Sequence, residues 1–179
     1  MTLSCAVYIA TSLDGFIARP DGDIDWLMRP EYATEAMEGL SYDEFMSTVD
    51  TLVMGRHSFE KVLTFDEWPY AVPVVVLSSR SVAVPDALHG RVRVMNLTPP
   101  ALVAKLAGEG KKKLYIDGGQ TIQRFLRAGL IDELTITILP LILGDGLPLF
   151  GVVGHEIALR LLAATPSPNG FVQVRYAIE

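Results

Sequence analysis

Residues 114–126, LYIDGGQTIQRFL, constrain the fold more than any other part of the chain: an apolar strand runs through two glycines directly into an amphipathic helix. Leu114, Tyr115 and Ile116 read as a buried strand, while Ile122, Phe125 and Leu126 share one helical face. A strand that turns straight into a helix is the building unit of an α/β sheet. Between them, Asp117-Gly118-Gly119 bends the backbone and leaves no side chain over the first helical amides. Those amides lack intrahelical partners and carry the positive end of the helix dipole, so a phosphate is a natural ligand. The same two glycines serve equally well in a plain tight turn.

The rest of the chain repeats this alternation. Residues 3–10 read as a first strand and 11–25 as a long loop rich in Asp and Gly. Residues 32–48 have helical spacing (Met37, Leu40, Phe45), interrupted near Gly39 and Ser41, where a second helix can be capped. Residues 51–54 form a short buried strand ending at Gly55, with a helix from about His57. Residues 73–77 are almost all valine, the composition of a strand covered on both faces. Another strand is read over 92–95, and Pro99-Pro100 open a helix over 100–107. A strand over 134–139, a Gly/Pro-punctuated loop over 140–154 and an alternating terminal strand over 170–178 complete the chain. The last two strands have no helix between them, which fits antiparallel pairing. The expectation is one α/β domain over residues 1–179, its mostly parallel sheet flanked by helices on both faces.

Fifteen basic and 21 acidic residues give a net charge of −6, which excludes nucleic acid as the main partner. Mean hydropathy is +0.32, yet no apolar run approaches the ~18 residues of a membrane span. The apolar excess therefore points to a buried subunit interface, in a homodimer. Cys5 is the sole cysteine, so neither a disulfide nor a thiolate cluster is expected, and His57, His89 and His155 lack metal-ligand spacing. No metal is expected. The N-terminal apolar stretch has no basic flank and is broken by Asp14; it reads as a strand rather than a signal peptide and places the protein in the cytoplasm. G-x-S-x-G, the Walker pattern and G-x-G-x-x-G are all absent.

Chemistry concentrates at three strand ends, where an open α/β sheet holds its ligand. At the first, Gly55 frees the start of a helix, and Arg56, His57 and Ser58 add a guanidinium and donors, unless they are simply a cap and a surface arginine. At the second, the buried Leu77 opens into Ser78-Ser79-Arg80, either a polar turn or a phosphate site. Arg56 and Arg80 together can clasp a phosphate monoester through paired N–H bonds, the feature that separates NADP from NAD. The third is Gly118-Gly119.

These residues resemble the dihydrofolate reductase-like fold, and more closely its branch of riboflavin-biosynthesis reductase domains and their stand-alone relatives. The resemblance is carried by residues 9–18 (IATSLDGFIA), 22–27 (GDIDWL), Met54-Gly55-Arg56, Leu77-Ser78-Ser79-Arg80, Asp117-Gly118-Gly119-Gln120, and Leu139-Pro140 through residues 144–150 (GDGLPLF), in family order over nearly the whole chain. It implies a three-layer fold and an NADPH-dependent reductase. Ala10, Thr11 and Ile17 would lie along the nicotinamide. Gly55, Arg56, His57 and Ser58 would hold the pyrophosphate and adenosine phosphate, with Leu77, Ser78, Ser79 and Arg80 on the 2′-phosphate side. Gly118, Gly119, Gln120 and Thr121 would sit against the pyrophosphate and nicotinamide ribose.

The resemblance also implies a substrate of pyrimidine, pterin-like or ribosyl type, as for 5-amino-6-(5-phosphoribosylamino)uracil reductases; the alternatives are a dihydrofolate reductase-type enzyme or a non-catalytic NADP-binding protein. Riboflavin-pathway reductases usually carry Lys or Arg directly after the Ser-Leu-Asp-Gly unit, suited to a sugar phosphate, whereas this chain has Phe16. Hydride transfer to a carbonyl or imine carbon needs a proton for the heteroatom, which a carboxylate in the cleft can supply. Asp14 is the first candidate and Glu31, which follows Trp26, the second. Asp14 has an alternative task as a turn residue before Gly15. Phe16 and Trp26 are the candidate substrate contacts; Trp26 is otherwise a loop anchor.

Overall fold

Alternate side chains of a strand leave on opposite faces, and here each face of one sheet collects its own helices. The computed structural model describes residues 2–33 and 36–179. In chain order come β1 (Ser4–Thr11), β2 (Phe16–Ala18), α1 (Tyr42–Ser47), β3 (Thr51–Gly55), α2 (Arg56–Val62), β4 (Val74–Leu77) and β5 (Val92–Met95). They are followed by α3 (Pro99–Gly108), β6 (Lys113–Ile116), α4 (Gly119–Arg127), β7 (Glu133–Ile138), β8 (Leu147–Pro148), β9 (Leu159–Pro166) and β10 (Val172–Ile178). The large sheet runs β5-β4-β3-β6-β1-β7-β10-β9. Its first six strands are parallel, and β10 is antiparallel to both β7 and β9. In β3, Val53 joins Leu102 and Leu106 of α3 and Ile122 and Phe125 of α4. Leu52 and Met54 join Phe45 of α1 with Phe59 and Val62 of α2 on the other face. Each such buried side chain is worth roughly 1.5–3 kcal/mol of transfer free energy. No described helix is long and apolar enough to cross a membrane.

Local chemistry sets the helix starts. Ser41 Oγ accepts from Glu44 N at 3.2 Å while Glu44 Oε2 accepts from Ser41 N at 2.9 Å, a reciprocal cap for α1. The helical reading of residues 32–48 holds only there. Single 3-10 turns occupy Asp25–Met28 and Pro30–Ala33, and Gly39, at φ +98°, closes the approach to α1; Thr34 and Glu35 lie outside the described residues. The loops read over 11–25 and 140–154 contain β2 and β8, which pair with each other through Phe16 and Pro148. Strand β9 escapes sequence reading because its apolar residues do not alternate. Tyr176 pairs with Leu161 and Arg175 with Ala163, so Leu162 is an extra, bulged residue and the period-2 pattern breaks.

Candidate functional site

The connectivity places one turn at the centre of the site. Strand β6 inserts between β1 and β3, so the turn after β6 emerges between the segments that follow its two neighbours. A crevice at that carboxyl edge is where open α/β sheets bind ligands, and a cavity of about 810 Å³ opens there. Gly118, at φ +86°, precedes α4, whose N-terminus no side chain caps. A methyl group on Gly118 would run into Ser58 Oγ of α2, and one on Gly119 would lie 3.0 Å from Ile17 Cδ1 and 3.1 Å from Pro148 O. The glycines thus allow α2, the β2–β8 pair and the start of α4 to approach one another. Of the residues singled out from sequence, Ala10, Ile17, His57 and Ser58 line this cavity, together with Gly118, Gly119 and Gln120.

The ends of β3 and β4 lie beyond the cavity wall. Gly55 is in register with Leu77, so Arg56 and Ser78 leave the sheet side by side. Arg56 Nη1 donates to Glu60 Oε1 at 2.8 Å, and Nη2 lies 2.9 Å from His57 Nε2. Ser78 Oγ accepts from Arg80 N at 3.0 Å and donates to Arg80 O at 2.8 Å, closing a turn that leaves Ser79 and Arg80 exposed. Thr121 and Thr11 are buried. A methyl on Gly55 would come within 3.0 Å of Thr121 Oγ1, and the Thr11 carbonyl accepts from Leu139 N at 2.8 Å.

None of the proposed acids and substrate contacts, Asp14, Glu31, Phe16 and Trp26, lines the cavity. Asp14 accepts from Ser12 Oγ at 2.6 Å and from the amides of Leu143 and Gly144 at 3.0 and 2.8 Å, tying the first loop to the loop before β8. Those hydrogen bonds, Ser12 first, hold its carboxyl below the usual carboxylate range. Such a group is a poor proton donor near neutrality. Glu31 lies on the second 3-10 turn, 3.9 Å from Arg29. Phe16 belongs to β2, its ring near Gly146. Trp26 is fully buried, and from its segment Ile24 and Leu27 form the cavity wall instead.

Three carboxyl-bearing residues line the cavity, Asp21, Glu60 and Asp117; Asp117, read from sequence only as part of a turn, is the one that burial perturbs. It continues the strand parity of Tyr115, which packs on the α1–α2 face. Burial, the largest influence, pushes its pKa up to about 6, against the opposing influence of the neighbouring Gly118 N–H and Tyr115 hydroxyl. Around it, Tyr42 is pushed up to about 12 by burial and then by the Asp117 charge, and Tyr70 and Tyr115 are raised for the same two reasons in the same order. Tyr115 Oη donates to the Tyr8 carbonyl at 2.8 Å. The signal available in sequence was an acid ending an apolar strand on its tyrosine-bearing face. No three His, Cys, Asp or Glu side chains among the described residues are placed to hold a metal.

The RibD C-terminal domain profile matches residues 5–173. Uncharacterized protein YwjB of Bacillus subtilis is 38% identical over 180 residues, spanning 98% of each chain. A crystal structure from Shewanella sp. PV-4, of a protein provisionally linked by name to riboflavin biosynthesis, is 38% identical with a TM-score of 0.90 and 99% coverage of both chains. Dihydrofolate reductase from Enterococcus faecalis, solved with NADP(H), superposes with a TM-score of 0.66 at 18% identity, covering 98% of this chain and 96% of that one. The last likeness establishes a dihydrofolate reductase-like fold.

Proposed function

Because the chain belongs to the RibD C-terminal domain family, we propose that it is a cytoplasmic NADPH-dependent reductase acting on a pyrimidine- or pterin-like heterocycle or its ribosyl derivative. One observation carries the reading: the uncapped start of α4, held against Ser58 by Gly118, opens on the same cavity as a carboxyl poised near neutrality. A cradle that a Cβ would fill, floored by helix amides, fits a dinucleotide pyrophosphate. Gly118, Gly119 and Gln120 would hold that group, with Ser58 and His57 opposite and Ala10 and Ile17 along the nicotinamide. Bound NADPH would supply the hydride. Asp117, rather than Asp14 or Glu31, would hold the proton for the reduced heteroatom. Its place in the cavity lining and its raised pKa support that role.

Arg56, Ser78, Ser79 and Arg80 would grip the 2′-phosphate, since the β3–β4 register brings their segments together. Arg56 would then exchange its Glu60 partner for the phosphate. In fluorescence titrations NADPH should bind at least about tenfold more tightly than NADH, a difference of about 1.4 kcal/mol. Arg56→Ala or Arg80→Ala should each erode that preference. Equal affinities unmoved by either change would remove the 2′-phosphate assignment.

The partner is proposed to be a second copy of this chain. Strand β9 is an unprotected sheet edge on which Leu159, Leu161 and Leu162 are 44%, 54% and 41% exposed. Long apolar edges of this kind invite pairing. Light scattering at micromolar concentration should give a dimer mass, and Leu161→Lys should shift it toward the monomer. A monomeric parent protein would count against the interface.

A further inference from the structure

We propose that Tyr70 is a specificity-determining residue for the substrate: its hydroxyl donates a hydrogen bond to a ring carbonyl of the heterocycle. The inference rests on the reductase reading and names a group the substrate must carry. Tyr70 is only 9% exposed, and it lines the cavity as Asp117 does. Its ring stands edge-on to Trp68 with centroids 5.3 Å apart, and Trp68 packs in the same way on Phe59 at 6.0 Å. Its carbonyl accepts from Arg91 Nη2 at 2.7 Å. Ring and backbone are thus fixed, yet among the described residues the hydroxyl has no hydrogen-bond partner. Nor is it sealed from open space, as Trp26 Nε1 and Trp68 Nε1 are. A buried tyrosine hydroxyl usually finds a partner; one with none inside the protein is free for a ligand. Burial, and then the Asp117 charge, raise its pKa, so it keeps its proton through the neutral range within reach of that carboxyl. The other tyrosines that feel this charge are not available in the same way. Tyr115 has committed its hydroxyl to the Tyr8 carbonyl at 2.8 Å, and Tyr42 does not line the cavity. A fixed, unpaired donor in a cleft discriminates strongly against ligands that lack its acceptor.

Calorimetric titration of the full chain and of Tyr70→Phe, first with NADP⁺ and then with 5-amino-6-ribosylaminouracil or pterin, tests this directly. Both rings carry a carbonyl. The variant should bind NADP⁺ like the parent and the ring about tenfold more weakly. Because the hydroxyl holds nothing inside the protein, the thermal midpoint of Tyr70→Phe should not fall. Tyr115→Phe, which loses its bond to Tyr8, should unfold at a lower temperature. Ring affinity unmoved by Tyr70→Phe, a loss that falls on NADP⁺ instead, or a midpoint as low as that of Tyr115→Phe overturns the assignment. A parent NADP⁺ complex that binds neither ring also overturns it and leaves the reductase reading standing. Failure of the parent to bind NADP⁺ at all removes the reductase reading, and this inference with it.

Discussion

Asp117→Asn should lower turnover by roughly 100-fold or more, the usual contribution of a positioned general acid, while NADPH still binds. The same substitution should stabilise the protein at neutral pH. In the unfolded chain the carboxyl loses its proton near its ordinary value of 3.8; in the folded protein it retains the proton to about 6. Between those values the native state binds more protons, so stability falls as pH rises through this window and stays lower above it. At about 1.4 kcal/mol per unit, the ionised carboxylate costs the parent protein about 3 kcal/mol. Asparagine carries no such charge. Thermal unfolding should therefore show the variant more stable than the parent at pH 8 and nearly equal to it at pH 4. For the parent protein, kcat/KM in the proposed reduction should decline above about pH 6 as the proton is lost. Undiminished turnover in the variant would take the acid role away from Asp117.

The two halves of the site differ in how much of them can be read from sequence, and the reason is physical. Gly118 and Gly119 advertise themselves because a positive φ at the first and the close approach of Ile17 and Pro148 at the second impose a residue requirement beside open helix amides. The valine-rich β4 and the segment of β6 before Asp117 are equally legible, since burial on both faces leaves a continuous apolar run. Asp117 stands beside those glycines and shares their turn-like composition; its distinguishing property, enclosure among Tyr42, Tyr70 and Tyr115, comes from three separate segments. Asp14 illustrates the converse. An Asp before a Gly in a long loop reads as either a turn residue or a free acid, and only the distant amides of Leu143 and Gly144 show how its lone pairs are used. Trp26 carries no sequence mark that would tell a wall from an anchor, because that depends on the tertiary direction of one 3-10 turn.

Gly118→Ala should raise the NADPH dissociation constant by at least about tenfold, or about 1.4 kcal/mol. Two effects act together. The residue sits at φ +86°, where a Cβ costs roughly 1–2 kcal/mol, and the added methyl meets Ser58 Oγ. Both push the turn away from the geometry that leaves the α4 amides open. Combining the change with Ser58→Ala removes the collision but not the backbone strain, so affinity should return in part. Gly129→Ala separates strain from site. Gly129 has φ +63° with nothing near its missing Cβ, so that variant should lose stability comparably and bind NADPH like the parent. If Gly118→Ala binds NADPH no more weakly than Gly129→Ala, the pyrophosphate seat does not lie at the start of α4.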